Sequence, residues 1–450
     1  MTKVITIRKG LNINMKGSAD KVIQPLQPQF FAIKPTDFTG IFPKLLVEEG
    51  STVKAGTPIF FDKYNEQVLF TSPVSGKVSA INRGLRRVIE EIVIERDQVQ
   101  QFESFPQSNP ETLSSEKIKE LLLQSGNWPS IRQRPYGIIA NPHHTPDAIF
   151  ISAFDTAPLA PDYDFLLHEK GEAFQTGIDA LKKLTAAPIY LNIHQTETNA
   201  KEFLDINGVM INRFKGPHPS GNVGIQIHHI RPVNKGDIIW HINPVDVVVI
   251  GRLFLEGRYN TESLFALAGS EVINTRYFKT YKGALITPMI DNNTREGKLR
   301  FISGNVLTGK KISAEGYIGY YHRMVTVIPE GDYYSFFGWL KPGFNTFSDH
   351  YAFPSKILFP NKGYRLDTNL HGGHRSFIMS GEYESVLPMD IMPVQLLKAI
   401  LAKDIELMEQ LGIYEVDEED FALCEVICTS KTEVQSIIRE GLDLMRKEMS

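Results

Sequence analysis

The rhythm of apolar and polar positions changes several times along the chain. Over the first hundred residues, short runs at 44–47, 58–61 and 67–70 carry residues that suit a pleated sheet. Glu49-Gly50, Ala55-Gly56 and Ser75-Gly76 punctuate them as turns. Residues 100–109 are polar, include Pro106 and read as a linker. Residues 114–124 then place Ile118, Leu121 and Leu122 at helical spacing, and Ser125-Gly126 ends that helix. Apolar runs at 149–151 and 188–191 alternate with a helical stretch at 173–184, which predicts an α/β sandwich with a largely parallel sheet. The run 245–255 reads as a buried strand, with the α/β part ending near Val247 to Gly251. From 261 to 327 the chain turns β-rich, with strands expected at 272–273, 277–278 and 284–286. Residues 393–411 carry the stripe Leu396, Leu397, Ile400, Leu401, Ile405 and Met408 and predict a helix stopped by Gly412. A second helical stretch is expected over 418–447.

Between these parts, residues 329–360 are crowded with aromatics interleaved with glycine and proline. That is a poor pattern for a core helix and a good one for a docking loop, because aromatic side chains supply large contact area. Phe336, Phe337, Trp339, Phe344, Tyr351 and Phe353 are the candidate partner contacts.

Composition narrows the function classes. At 450 residues, with 42% apolar and 22% charged positions, the chain is an ordinary globular one of about three domains. A formal net charge of −4 gives no basic field for nucleic acid. No run of about 18 apolar residues predicts a membrane span, and the start lacks a signal-peptide core. Two cysteines, Cys424 and Cys428, cannot build a disulfide framework.

Candidate chemistry is sparse. The segments EEGSTVKAG (48–56) and SPVSGKV (72–78) resemble the halves of a lipoyl- or biotinyl-type barrel-sandwich, which makes Lys63 a candidate carrier lysine. No Met-Lys-Met surrounds it, so an unmodified barrel is the expectation. The loop GPHPSGNVGI (216–225) has the glycines to admit a phosphate or flavin, but it matches neither a Walker motif nor G-x-G-x-x-G, and its two prolines remove donors. His143-His144, His228-His229, His241 and His371/His374 lack zinc-site spacing. Cys424 and Cys428 on one helical face are too few for an iron–sulfur cluster and read as packed thiols. No catalytic constellation stands out.

Several stretches together resemble one family. ITIRKGLNINMKG (5–17), GPHPSGNVGIQIHHIRPV (216–233), NKGDIIWHINPVDVVVIGRLF (234–254), SGEYESVLPMDIMPVQLLKAILAKD (from Ser380) and DEEDFALCEVICTSK (from Asp417) look like the NqrA family, the large peripheral component of the sodium-translocating NADH:quinone oxidoreductase. The resemblance implies a multidomain α/β and α+β chain. Its expected parts are a barrel-sandwich module (1–105), a flavin-domain-like α/β sandwich without its flavin loop (106–258) and a β-grasp-like domain of SLBB type (259–330). An aromatic docking segment (331–385) and a helical domain that is a degenerate ferredoxin-like one (386–450) complete it. It implies a cytoplasmic, peripheral place on the bacterial inner membrane, chiefly on the membrane component NqrB, within an assembly that runs from NqrB to NqrF. The complex uses NADH, FAD, FMN, riboflavin, iron–sulfur, quinone and Na+, with no cofactor or metal expected in this chain, and it reduces ubiquinone or menaquinone. His218, Ser220, His228, His229, Trp339 and Phe344 are the candidate quinone contacts. The alternatives are a carrier-like adaptor and an electron-transport component of the Rnf type.

Overall fold

The computed structural model describes residues 4–334, 340, 343–344, 346–349, 353–359 and 361–449. Phe336, Phe337, Trp339 and Tyr351 lie outside the described residues.

The barrel-sandwich pairs a four-stranded with a three-stranded sheet. Phe30–Ile33, Ile89–Arg96, Gly76–Arg83 and Thr52–Val53 form the first; Pro43–Leu45, Pro58–Asp62 and Asn65–Thr71 form the second. Phe38, Phe60 and Phe70 fill its core, with the last two stacked at 4.4 Å. Gly50 and Gly56 turn the chain at positive φ, whereas Gly76 opens a strand, where a Cβ would lie 1.9 Å from the Glu95 carbonyl oxygen. Lys63 sits exposed on the hairpin between Asp62 and Asn65, its Nζ 5.4 Å from the Phe42 ring centroid.

A seven-stranded sheet forms the α/β part. Its order is Val4–Thr6, Met210–Lys215, Ile189–His194, Ala148–Ser152, Ile239–His241, Arg132–Arg134 and Ile138–Ile139. The first five strands run parallel and the last two antiparallel. The expected helices form at Ser115–Ser125, capped by Ser114 and ended by Gly126 at φ 78°, and at Gly171–Leu184.

Residues 245–255 correct the strand expectation, because Pro244–Glu256 is a helix. Asn243 caps it through Val245 N–H at 3.0 Å, Pro244 takes the first position, and Gly257 closes it at φ 64°. It is apolar on nearly every side because nearly all of it is buried, with the helix Gly171–Leu184 packed along it. The two helices cross on glycines: a Cβ on Gly177 would fall 2.1 Å from the Val247 carbonyl oxygen.

A six-stranded mixed sheet follows, in the order Lys310–Ile312, Leu299–Ser303, Met324–Pro329, Ser263–Ala268, Arg276–Thr280 and Ile23–Pro25. The strand expected at 277–278 is present, but Val272 and Ala284–Leu285 make isolated bridges instead of strands, since glycine-containing turns interrupt them. The N-terminal residues thus edge two later sheets, and the barrel strands begin at Phe30. The linker at 100–109 is also tied down: Phe102 bridges Ala55, and Phe105 N–H donates to the Gly257 carbonyl at 2.8 Å.

The C-terminal helices are shorter than their pattern. Lys403 in the left-handed region and Asp404 as the next N-cap split the first stretch into Pro393–Ala402 and Ile405–Gln410. The second becomes a 3-10 turn Glu418–Phe421, then Ala422–Ile427 and Val434–Met449. Cys424 lies on a helix and Cys428 just past its end, both buried among apolar residues. Tyr383 O–H donates to Cys428 Sγ at 2.9 Å. Among the described residues no helix is long and apolar enough to cross a membrane.

Candidate functional site

Strand order locates the site. From Ala148–Ser152 the chain steps outward through Ile189–His194 to Met210–Lys215, then returns to place Ile239–His241 on the other side of Ala148–Ser152. Neighbouring parallel strands whose connections leave in opposite directions open a crevice at their carboxyl ends. Ser152, Phe154 and Asp155 follow from one strand there, and His241, Ile242 and Asn243 from the other.

The rest of the molecule walls the crevice into a cavity of about 870 Å³ that stays partly open to solvent. Asp37 comes from the barrel, Lys310, His322 and Arg323 from the mixed sheet, and Asp417 to Glu419 with Arg439 from the helical part. Ile138, Phe154, Ile242, Leu307 and Met324 supply apolar wall.

Among the described residues four cations line it, and each is already held. Lys310 lies 3.2 Å from Asp37, Arg132 lies 3.5 Å from Asp417, and Arg323 lies 2.6 Å from Asp246. Arg439 lies 3.6 Å from Glu418. The lining histidines are neutral in the physiological range: burial lowers His218 and His322 to about 4 and takes His241 well below its ordinary value, with Arg132 and Arg134 adding to the effect on His241.

Behind the wall, Arg134 is fully buried and bridges Asp417, Glu419 and Asp420 at 3.4, 3.0 and 3.1 Å. The Asp420 carboxylate sits over the first turn of the helix Val223–Ile230, where a Cβ on Gly224 would fall 2.3 Å from its Oδ1. The helix start that a phosphate would use is covered by the chain's own carboxylate.

Of the sequence candidates, His218 lines the cavity, with its Nδ1 hydrogen-bonded to Thr156 Oγ1 at 3.1 Å. Ser220 is buried in the loop and donates to the Gly216 carbonyl at 3.1 Å. His228 and His229 stand apart from the cavity. His228 Nδ1 lies 2.7 Å from Glu415, and its Nε2 accepts from Asp390 N–H at 3.1 Å. His229 Nδ1 bonds the Ile225 carbonyl at 2.9 Å. Phe344 is an exposed surface residue, and Phe353 packs against Gly343. The glycine loop gives its close approaches to the protein's own backbone: a Cβ on Gly216 would meet the Ile7 carbonyl oxygen at 2.2 Å, and one on Gly221 the Thr156 nitrogen at 2.6 Å. Among the described residues no His, Cys, Asp and Glu cluster is placed to hold a metal.

Sequence reading missed Asp155 and Asp417. Asp155 had a signal, as the first charged residue past a buried apolar strand and ahead of a Pro-containing loop. Asp417 had only its local capping box with Asp420, because Arg132 and Arg134, the partners that bring it to the cavity wall, lie nearly 300 positions away.

A sheet crevice walled by a barrel, a second sheet and a helical cap defines a multidomain α/β protein with a partly open cavity at its switch point. Family models match it in three parts: the NqrA N-terminal barrel-sandwich hybrid domain over residues 5–97, the NqrA second alpha/beta domain over 113–259, and the NQRA C-terminal domain over 264–314. It is similar to the NqrA chain of the Na(+)-translocating NADH-quinone reductase of Yersinia pestis bv. Antiqua (strain Angola), at 38% identity over 99% of this chain and 100% of that one. The corresponding chain of Pseudomonas aeruginosa (strain UCBPP-PA14) is 37% identical over the same shares. An NAD+-reducing [NiFe]-hydrogenase chain in the H2-reduced state aligns at TM-score 0.38 and 11% identity, covering 75% of this chain and 62% of that one, too distant a likeness to carry an argument. The chain belongs to the NqrA family of Na(+)-translocating NADH-quinone reductases, whose complex is of the oxidoreductase class.

Proposed function

We propose that this chain is a peripheral component, held on the cytoplasmic face of the membrane complex through NqrB, that receives a quinone headgroup in its central cavity. One observation carries the ligand reading: the cavity is large, partly apolar, and its four lining cations are each matched by a carboxylate. A phosphate-bearing flavin or nucleotide needs free cations or an open helix start. A quinone is uncharged both oxidised and as quinol, and needs apolar wall with a few polar groups facing its oxygens. The electrons come from NADH through flavin and iron carriers in the other components.

The purified full chain is expected to bind ubiquinone-1 in equilibrium dialysis at about one per chain, while FMN stays in the free fraction. Retention of FMN without ubiquinone-1 would overturn the reading.

Docking is the work of the aromatic stretch. Its described members include Tyr334, Leu340, Phe344, Leu358 and Phe359, all strongly exposed in the isolated chain. Tyr334→Glu with Phe344→Glu is expected to move the chain from washed membranes to the supernatant; normal retention of that variant places the contact elsewhere.

A further inference from the structure

Six carboxylates line the cavity, and among the described residues five of them sit beside a cation. Asp37 has Lys310, Asp246 has Lys282 and Arg323, Asp417 has Arg132, Arg134 and Arg439, Glu418 has Arg439, and Glu419 has Arg134. Asp155 has none. It stands just past the end of Ala148–Ser152, at the mouth of the switch-point crevice, and its Oδ1 accepts the Ala157 N–H at 2.8 Å. Gly221 lets the neighbouring loop close against it, since a Cβ there would lie 3.0 Å from the Asp155 Cα. The carboxyl is thus positioned by backbone, faces the chamber, and is left without a neutralising charge.

Resting on the quinone reading above, we infer that Asp155 is the acid that hands a proton to a carbonyl oxygen of the quinone as it is reduced. NADH oxidation elsewhere in the complex supplies two electrons. At the quinone the Asp155 O–H bond breaks and a new O–H bond forms on one ligand oxygen, leaving the Asp155 carboxylate. Water returns a proton to that carboxylate, and a second proton from water reaches the other oxygen, giving quinol.

The surroundings suit this role. Burial, with Glu419 adding repulsion, raises the Asp155 carboxyl to about 6, against the opposing N–H groups of Ala157 and Thr156. Tyr163 is held protonated by burial and by Asp155 itself, and its O–H oxygen accepts from Asn243 at 2.7 Å. His218, next to Thr156, is neutral and stays so above about pH 4. On the same wall, burial and Asp417 raise Glu418 further, to about 8, but Glu418 stands beside Arg439, whereas Asp155 has no cation to hold its charge, and a quinone that displaces water raises it further.

The test uses the assembled complex in membranes, with NADH as donor and ubiquinone-1 as acceptor. In the wild type, kcat is expected to fall as pH rises through a single ionisation at or above about 6. Asp155→Asn keeps a hydrogen-bond donor but has no acid to give. It is expected to lower kcat by about 100-fold, with KM for ubiquinone-1 changed less than about threefold, and to erase that pH limb. Asp155→Glu is expected to restore the limb, which a merely structural aspartate would not require. Wild-type kcat and pH profile in Asp155→Asn would overturn the inference. Dialysis of ubiquinone-1 with the full chain separates the two readings: no binding by wild type defeats the cavity assignment, whereas binding with an unaffected Asp155→Asn turnover defeats only the role of Asp155.

Discussion

A carboxylate lining a partly open cavity without a cation is costly to fold around. The folded state holds a proton on Asp155 up to about pH 6, whereas an unfolded aspartate releases it near 4. Between those values the folded chain binds more protons than the unfolded one, so stability falls as pH rises through the window and stays lower above it. Asp155→Asn removes that loss while keeping the Ala157 contact. The variant's unfolding free energy from urea titration is expected to exceed wild type at pH 7.5, by on the order of 1–2 kcal/mol after discount for partial exposure, and to match it near pH 4. Equal values at pH 7.5 would mean that the folded state compensates the charge. The neutral histidines show the same force acting the other way: burial costs His218 and His322 their protons, and each keeps its place through a hydroxyl, Thr156 and Ser303.

Among the elements, local chemistry was readable and long-range pairing was not. Ser114 and Gly126 bound a helix that the sequence shows directly, and the barrel hairpins follow from their glycine turns. Pro244–Glu256 carried equally good end signals in Asn243, Pro244 and Gly257, yet its apolar residues on every side mimic a buried strand. Its length of 13 residues decides the matter, because it exceeds an ordinary strand. What spacing cannot reveal is why it is apolar all round, namely the glycine crossing at Gly177 and Gly251 that brings another helix into backbone contact. The site is still less legible. Asp37, Asp155, His241 and Asp417 come from four separate parts of the chain, and nothing local links them. The most unusual local sequence, GPHPSG, drew the eye to phosphate chemistry, while its glycines serve contacts with Ile7 and Thr156.

At the scale of the whole molecule, one buried arginine ties the helical part to the sheet. Arg134 lies on the strand beside Ile239–His241 and answers Asp417, Glu419 and Asp420, two of which are buried. Burial pushes the Asp417 carboxyl up, but Arg134, Glu418, Arg132 and Arg439 together hold it well below the usual carboxylate range. Arg134→Met keeps much of the volume and strands Glu419 and Asp420, while Asp417 keeps Arg132 and Arg439. A buried pair broken on one side costs about 3–5 kcal/mol. The helical part is therefore expected to loosen first, seen as faster amide exchange over 417–445 while the barrel strands stay protected. Because Asp417, Glu418 and Glu419 wall the cavity, ubiquinone-1 affinity is expected to fall with it. Adding Asp420→Asn and Glu419→Gln to Arg134→Met neutralises the two stranded carboxyls, and should recover more than half of the lost stability. If that triple variant is no more stable than Arg134→Met alone, the guanidinium holds the cap by shape and not by charge, and the cavity wall owes its position to packing of the apolar core beneath it.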